Sequence, residues 1–165
     1  MPNFVNYFLK KILVFLFFIG FSGTILAQIE TNNWYFGKNA GINFNNNQVT
    51  LLTDGLMNTH AGCSSFSDKD GALLFYTNGQ TVWNKNHQIM ENGTELKTDI
   101  NSPQTSIIIP KPGNDNVFYI FTTLETTLTE PFYMSPGLYY SEVTFSDEFQ
   151  LGKVNFKNFI YSIPV

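Results

Sequence analysis

Beyond residue 27, the chain consists of short apolar runs separated by polar, turn-forming residues. The runs are rich in β-branched and aromatic side chains, which favour β-strands, and none of them repeats with the period of a helix. We therefore expect an all-β fold of short antiparallel strands. The predicted strands are residues 34–36, 41–44, 49–52, 63–67, 72–77, 81–83, 106–109, 117–122 and 138–143.

Turn-forming residues between these runs predict how the strands connect. Asn-Gly and Asp-Gly pairs adopt the positive φ angles that tight turns require, so we expect antiparallel hairpins at these positions. Residues 91–100 are the one alternative candidate for a helix, but their Asn-Gly pair and polar content indicate a loop. The predicted hairpin turns are residues 45–47, 54–55, 70–71, 78–79, 92–93, 112–115 and 136–137.

Two strand regions resemble each other when the sequence is shifted by 45 residues. Residues 71–77 align with residues 116–122, and each segment follows another predicted strand and a polar turn. A period of about 40 to 50 residues with three or four strands per unit is typical of a β-propeller blade. The alternative is a plain β-sandwich with a strand every 8 to 12 residues or so. The period favours a partial β-propeller of about three blades over residues 28–165.

The N-terminus has the pattern of a signal peptide. Lys10 and Lys11 precede an unbroken apolar run over residues 12–21, and Ala27 is a small residue at a suitable cleavage position. We predict a signal peptide over residues 1–27, cleaved between Ala27 and Gln28, with no stable membrane span afterwards. The alternatives are an uncleaved anchor and a lipid-modified variant. A spanning helix needs about 20 apolar residues, and Gly and Ser residues interrupt this segment.

Composition and charge exclude several classes of protein. The chain has 43% hydrophobic residues and 13% charged residues, which is typical of a globular domain. After loss of Lys10 and Lys11, seven lysines face thirteen acidic residues, a net charge of −6. Nucleic acid is therefore not an expected partner, because binding to phosphates needs clustered cations. The single cysteine, Cys63, excludes an internal disulfide and cysteine-rich zinc sites.

Many of these motif residues together resemble one family. The chain looks like the N-terminal region of large exported Bacteroidetes proteins that carry a C-terminal gliding-motility-associated domain, the type B sorting domain of type IX secretion. The resemblance covers roughly residues 28–165. It is carried by residues 33–37 (Asn-Trp-Tyr-Phe-Gly), 40–44, 52–55, 62–64, 67–68, 71, 74–79, 82–87, 90, 92–93 and 104–113.

This resemblance implies the opening blades of a β-propeller. In the family, further blades follow, often with immunoglobulin-like or PKD-like repeats and then the sorting domain. No sorting domain is found before Val165. We therefore expect a truncated N-terminal fragment whose remaining propeller blades lie beyond Val165. Because the sorting domain attaches the family to the surface, the resemblance does not predict surface attachment for the chain as given.

The segment Asp68-Lys69-Asp70-Gly71 is one candidate for metal binding. Asp68 and Asp70 have the spacing that opens a calcium loop, but Gly79 occupies the position where such a loop needs glutamate. The alternative is a hairpin turn in which Asp68 accepts hydrogen bonds from backbone amides. We expect the turn, and no metal or other cofactor.

Two histidines are the candidates for proton transfer. His60 and His87 lie next to loops, and a nearby acid such as Asp54 or Glu91 would complete a metal site or a proton-transfer pair. Nothing in the sequence spacing brings the two histidines together. We expect surface or hairpin-stabilising hydrogen bonds for both.

No nucleophile or carboxylate pair stands out. Cys63 lies on a predicted strand, where residues an odd number apart face opposite sides, so His60 is not placed to activate it. Glycoside hydrolysis needs two carboxylates across a cleft, and the absence of arginine argues against a sialidase. The candidate carboxylates all lie in predicted loops, so no pair is favoured: Asp54, Glu91, Glu95, Asp99, Glu125 and Glu130.

The many aromatic residues are expected to be used first in packing between sheets. Only Phe132, Tyr133 and Met134, in the insertion before the last predicted strand, have the pattern of a presented loop that contacts a ligand or a neighbouring blade. We therefore expect an extracellular or outer-membrane-surface module without catalytic activity, acting in adhesion or gliding-related architecture. Its partner would be a polysaccharide or a surface protein. The alternative is the N-terminal part of a secreted propeller enzyme that acts on polysaccharide or protein.

Overall fold

The computed structural model describes residues 11, 29–45, 48–125 and 136–161. The predicted signal peptide, apart from Lys11, lies outside these residues, as does Gln28 of the cleavage site. The predicted ligand-contact loop of Phe132, Tyr133 and Met134 lies outside them too. These predictions are therefore not tested by the structure.

Ten strands and one short 3-10 helix make up the described chain. The 3-10 helix covers Ile29–Thr31 and precedes the first strand. The strands are β1 (Asn33–Phe36), β2 (Ala40–Asn43), β3 (Thr50–Leu52), β4 (Ser64–Ser67), β5 (Leu73–Thr77), β6 (Val82–Asn84), β7 (Ser106–Lys111), β8 (Asn114–Leu124), β9 (Gly137–Thr144) and β10 (Lys153–Ile160).

The strands form three antiparallel sheets, which confirms the predicted all-β class. The first sheet has the order β1-β2-β3, the second β4-β5-β6, and the third β10-β9-β8-β7. In each sheet, strands that follow one another in the chain are also neighbours. β5 and β8, which contain most of the two similar sequence segments, are each the second strand of their sheet. The sequence similarity thus corresponds to equivalent positions in two sheets.

The three sheets pack face to face in chain order. Tyr35 of the first sheet stacks on Tyr76 of the second, with ring centroids 4.7 Å apart. On the other side of the second sheet, Phe66 and Phe75 contact Phe118 of the third at 5.0 Å and 5.5 Å. We call these contacts the first interface and the second interface. The second sheet is therefore covered on both faces.

The first strands of the three sheets, β1, β4 and β7, lie next to one another. Serine hydroxyls join them, since Ser65 Oγ donates to the Asn33 carbonyl at 2.7 Å and Ser64 Oγ donates to the Ser106 carbonyl at 2.6 Å. Gly62 allows this approach, because a Cβ there would lie 2.3 Å from the Thr105 nitrogen. The sheets thus spread from a common edge formed by their first strands.

Some turn predictions are confirmed and others are wrong. Turns connect β4–β5, β5–β6 and β7–β8 at the predicted residues, and residues 91–100 form the predicted loop. Residues 46 and 47 of the turn predicted at 45–47 lie outside the described residues. The three pairs at 54–55, 92–93 and 136–137 are not hairpin turns. Gly55 lies in the connection between two sheets, where a Cβ would come 2.7 Å from the Tyr35 ring. Gly93 belongs to the loop beside β6, and Gly137 begins β9.

Strand β10 was not predicted from the sequence. It pairs with β9, but the register shifts twice, between Val154 and Phe156 and between Phe156 and Phe159. These irregularities break the alternation of apolar and polar residues that identifies a strand. In the described part of the chain, no helix is long and apolar enough to cross a membrane.

Candidate functional site

A group of hydrogen-bonded polar side chains surrounds His87. Its Nε2 lies 3.3 Å from Asp54 Oδ2, and its Nδ1 lies 3.2 Å from the Tyr76 hydroxyl. The Tyr76 oxygen accepts the amide of Leu56 at 3.0 Å, which leaves its own proton for Nδ1. This pattern assigns the proton of a neutral imidazole to Nε2, where it faces the Asp54 carboxylate.

Tyr35 completes this group, which we call the His87 cluster (Tyr35, Asp54, Tyr76 and His87). The Tyr35 hydroxyl donates to Asp54 Oδ1 at 3.0 Å, so each oxygen of Asp54 contacts a different partner. Burial and the neighbouring Asp54 carboxylate raise the pKa of Tyr35 well above its usual value. Burial also raises the pKa of Tyr76. Both phenols therefore remain protonated donors at neutral pH.

Strands and a turn fix the cluster in place. Tyr35 comes from β1 and Tyr76 from β5, and Trp83 of β6 stacks on the far side of Tyr76 at 5.4 Å. His87 has a φ of 60° in the turn that follows β6. The Asn84 side chain holds this turn, since its Oδ1 accepts the amides of Asn86 and Gln88. The histidine thus projects from a rigid turn beside the stacked rings.

The sequence named His87 and Asp54 as candidates, and the structure brings these two together. Glu91 instead pairs with Lys153 at 2.9 Å, and His60 is exposed in the connection between the first and second sheets. Sequence reasoning missed the roles of Tyr35 and Tyr76. The apolar residues around them predicted strands. Their hydroxyls contact loop residues that are distant in the sequence, and no pattern near either tyrosine predicts such contacts.

The His87 cluster combines a proton-transfer pair with a structural brace. His87 is mostly buried, with 19% of its side chain exposed, whereas the Asp54 side chain is 57% exposed. The hydrogen bonds tie the segment around residues 54–56 to strands of two sheets. The hydrogen bonds of the cluster are suited to donating, accepting or relaying a proton.

Cys63 shows no activation as a nucleophile. β4 begins at Ser64, so Cys63 precedes the strand rather than lying on it as predicted. Burial raises the pKa of its thiol, which opposes formation of the thiolate. Cys63 packs against the buried residues of the first interface. It behaves as a small apolar side chain.

Asp68 has the role of a turn residue. Its Oδ1 accepts the amides of Asp70 and Ala72 at 2.9 Å and 2.8 Å, which is the bonding expected for a hairpin turn. Asp70 is exposed in the same turn. Across residues 11, 29–45, 48–125 and 136–161, no three His, Cys, Asp or Glu side chains are grouped as metal ligands.

A groove runs along the common edge of the first strands and has a volume of about 380 Å³. Trp34 stands at its border, half exposed, and its indole N–H donates to the Thr31 carbonyl at 2.7 Å. Phe44 packs edge-on against the same ring at 5.5 Å. The other lining residues come from β1, the start of the second sheet and β7: Thr31, Tyr35, Phe36, Cys63, Ser64, Ser65, Phe66, Ile107 and Ile108.

The outer face of the first sheet is apolar and exposed. Trp34, Ile42 and Leu51 lie opposite one another across the three strands. Phe36, two residues beyond Trp34, lies on the same side. Trp34 is 52% exposed and Leu51 is 77% exposed. We call this surface the first-sheet face, defined by Trp34, Phe36, Ile42, Phe44 and Leu51.

The outer face of the third sheet is also apolar, and it is rich in aromatic rings. One row runs across four strands through Phe121 and Tyr140, and Ile107 and Phe159 at its ends are 45% and 52% exposed. The rings contact one another, with centroids 4.8 Å to 6.2 Å apart. We call this surface the third-sheet face, defined by Ile107, Ile109, Tyr119, Phe121, Tyr140, Phe156 and Phe159.

These two faces correct one expectation from the sequence. We expected packing between sheets to use the aromatic residues, and Trp34 and Tyr140 lie instead on surfaces that no described sheet covers. Both lie on the side of their strand opposite the core, as the strand pairings show. Alternation along a strand separates its two sides, but it does not identify which sheets lie at the ends of the stack.

One ion pair lies within the third-sheet face. The buried Glu142 carboxylate is 3.3 Å from Lys111 Nζ and accepts a hydrogen bond from Asn155 at 3.1 Å. The Tyr119 hydroxyl and then the Glu142 carboxylate raise the pKa of Lys111. The charge of Glu142 is thus already compensated within the sheet.

Comparison with protein families, curated proteins and solved structures finds no match for this chain. Its function must therefore be inferred from the geometry of the described residues and from the sequence pattern.

Proposed function

We propose that this chain is a non-catalytic, exported binding or structural module of a cell-surface protein, active in adhesion or gliding-related surface architecture. The observation that carries the proposal is the pair of apolar outer faces, on the first and third sheets. Large exposed apolar patches on a folded protein mark surfaces that assemble with a partner. A module of this kind needs such surfaces and needs no catalytic group.

The three sheets are, in this proposal, blades of a propeller-like array. Three features support it: each sheet is an antiparallel meander, the sheets stack in chain order, and β1, β4 and β7 share one edge. In a propeller the first strand of each blade borders the central axis. The groove along the three first strands would then lie at that axis and serve as a binding surface.

Export and surface location are proposed from the sequence. The basic and apolar pattern of residues 1–27 is that of a cleaved signal peptide, and the motif residues resemble the gliding-motility-associated family of Bacteroidetes. The partner would be a neutral polysaccharide or a surface protein, since the acidic chain disfavours anionic polymers. The loop residues Phe132, Tyr133 and Met134 are the proposed contact with it.

The proposal is tested by measuring retention and turnover in one assay. The secreted chain is incubated with insoluble neutral polysaccharides and with intact Bacteroidetes cells, and both sedimented protein and released sugar or peptide are measured. We expect retention without release. Tyr133→Ala should lower retention about tenfold, as loss of one aromatic contact implies. Tyr161→Ala, the same change at an exposed site, is the control.

If the Tyr133→Ala variant is retained as strongly as the unaltered chain, the proposed contact between this loop and the partner is wrong. No retention on any cell or polymer overturns the binding function.

A secreted enzyme is the second candidate, and the pairing of His87 with Asp54 favours it. This pair joins an imidazole to a carboxylate at 3.3 Å, an arrangement suited to proton transfer. Released sugar or peptide in the assay, lost in both His87→Ala and Asp54→Asn, would support the enzyme. Release that persists in both variants would point to a contaminating activity.

A further inference from the structure

We infer that a groove between the turn after β6 and the loop before β10 binds a neutral saccharide. The groove has a volume of about 520 Å³, which is within the usual range of small-molecule sites. The inference rests on the proposed function, because it names a site for the neutral polysaccharide partner. We call this site the polar groove, defined by Asn84, Gln88, Glu91, Asp147, Glu148 and Gln150.

Hydrogen bonds of the backbone fix both walls of the polar groove. The turn after β6 forms one wall, and the loop between β9 and β10 forms the other. In this loop the Phe149 amide donates to the Ser146 carbonyl at 3.1 Å, and the Gly152 amide donates to the Phe149 carbonyl at 3.0 Å. The Val154 amide joins the two walls by donating to the Glu91 carbonyl at 2.9 Å. A site with fixed walls loses little entropy when a ligand binds.

An unpaired donor in the wall carries the inference. Asn84 is only 4% exposed, and its Oδ1 accepts the amides of Asn86 and Gln88. These two donors identify the other side-chain atom as the NH₂ nitrogen. This Nδ2 makes no hydrogen bond within the described residues.

The Asn84 nitrogen is accessible from the polar groove. Among the described residues, each side-chain nitrogen or oxygen that is closed to solvent has a hydrogen-bond partner. Since Nδ2 has none, it is open to solvent, and Asn84 lines the groove. A nearly buried donor of this kind needs an acceptor from outside the chain.

The rest of the polar groove consists mainly of acceptors. Glu91 pairs with Lys153 at 2.9 Å, whereas Asp147 and Glu148 are exposed acids of the opposite wall. The groove therefore has more negative than positive charge. The exposed amides of Gln88 and Gln150 can both donate and accept hydrogen bonds.

This combination of groups fits a ligand with several hydroxyls. A hydroxyl both donates and accepts, so neighbouring hydroxyls of one sugar ring can accept from Asn84 Nδ2 and donate to the carboxylates. Ile89 and Leu151 line the same groove and provide apolar contacts for the C–H groups of the ring. A metal ion or an ammonium group accepts no hydrogen bond and leaves Nδ2 unpaired. The carboxylates repel an anionic saccharide.

The test is isothermal titration calorimetry of the full secreted chain with cellohexaose, xylohexaose and mannohexaose. We expect at least one of them to bind, with an affinity that is unchanged at high salt because the ligand is neutral. Asn84→Asp keeps an oxygen for the two turn amides but removes the donor, and it should weaken binding at least about tenfold.

A second variant changes the opposite wall. Gln150→Ala removes an exposed amide and should weaken binding by about threefold to tenfold. Gln80→Ala, the same change at an exposed residue in the hairpin turn at the other end of β6, should leave binding unchanged. Circular dichroism and the unfolding midpoint show whether each variant folds. If Asn84→Asp does not fold, the comparison of Gln150→Ala with Gln80→Ala decides.

Titration with hexalysine and with calcium chloride tests the competing cationic ligands. A groove for cations would bind them more tightly in Asn84→Asp, which adds a negative charge, and high salt would weaken the binding of hexalysine. Asn84→Asp thus changes saccharide affinity and cation affinity in opposite directions. Tighter binding of hexalysine or Ca²⁺ than of every hexasaccharide by the unaltered chain overturns the inference.

Two further results overturn it as well. One is that no hexasaccharide binds, and the other is that Gln150→Ala binds as tightly as Gln80→Ala. In either case, retention of the chain on cells or insoluble polysaccharide leaves the proposed function intact. Hexasaccharide binding that is weakened in the groove variants, without retention on any cell or polymer, supports the polar groove and overturns the proposed function alone.

Discussion

The first and second interfaces join sheets of the same topology, but they differ in chemistry. The first interface contains stacked Tyr35, Tyr76 and Trp83 together with hydrogen bonds to loop residues. The second contains a fully apolar cluster: Phe75, Val82, Met90, Leu96, Phe118, Ile120, Val143 and Val154. Apolar packing supplies free energy without fixing a register, whereas hydroxyl contacts also fix the position of the connecting segment.

The difference predicts that the second interface supplies most of the stability. The first interface has fewer buried residues. Hydrogen bonds between particular atoms hold its side chains in position. We therefore expect truncation of a side chain in the second interface to lower the free energy of unfolding strongly. Changes in the first interface should lower it less, by amounts that depend on hydroxyl groups and on pH.

Phe118→Ala should have the largest effect. Phe118 is buried and contacts Phe66, Phe75 and Phe145, with ring centroids 5.0 Å to 5.8 Å away. Truncation leaves a cavity among rigid rings, and we expect the free energy of unfolding to fall by about 3–5 kcal/mol. Urea unfolding followed by fluorescence measures it. A loss similar to that of the exposed control Phe159→Ala would contradict the dominance of the second interface.

Tyr76→Phe should have an intermediate effect in the first interface. The ring and its stacking remain, but the Leu56 amide loses its acceptor and His87 Nδ1 loses its donor. We expect a loss of about 1–3 kcal/mol, the cost of leaving partly buried polar groups unpaired. Tyr161→Phe, at an exposed residue, is the matched control for removal of a hydroxyl. Equal losses for both variants would mean that the hydroxyl contacts of Tyr76 add nothing specific.

The sequence best predicted features formed by residues that lie close together in the chain, such as turns. The turn between β5 and β6 followed from Asn78-Gly79, and Asn78 Oδ1 accepts the amides of Gln80 and Thr81 there. The hydrogen-bond role of Asp68 was predicted for the same reason. Such bonds join residues a few positions apart, so the residue types themselves determine them.

Contacts between distant segments were not predictable in the same way. Asp54 and Glu91 were both named as a possible acid partner of a histidine, but only the stacking of the first two sheets brings Asp54 to His87. Because the register of β10 shifts twice, its apolar and polar residues do not alternate regularly, and alternation did not identify this strand. Whether the Trp34 side of its sheet is covered depends on the number of sheets in the stack, which is not a local property.

The pH dependence of stability distinguishes the two interfaces further. The pKa values of Tyr35 and Tyr76 are raised in the folded protein, mainly by burial, from an unfolded value of 10.0. Their contribution is therefore complete below pH 10 and is lost as the pH rises toward the folded values. Each tyrosine should give a slope of up to about 1.4 kcal/mol per pH unit in this range.

Urea unfolding between pH 8 and pH 11, or thereabouts, measures this slope. Tyr35→Phe should make it shallower, whereas Phe118→Ala should lower stability equally at every pH. A slope that is unchanged in Tyr35→Phe would show that other groups cause the alkaline loss.

Asp54→Asn should have the smallest effect on stability. Asparagine Oδ1 still accepts the Tyr35 hydroxyl, so the change is confined to the side that faces His87. Because the Asp54 side chain is 57% exposed, solvent screens its attraction to His87, and we expect a loss below about 1 kcal/mol. Asp147→Asn, at an exposed residue outside the cluster, is the control. A loss above that of Tyr76→Phe would show that the carboxylate, rather than the phenols, holds the first interface in register.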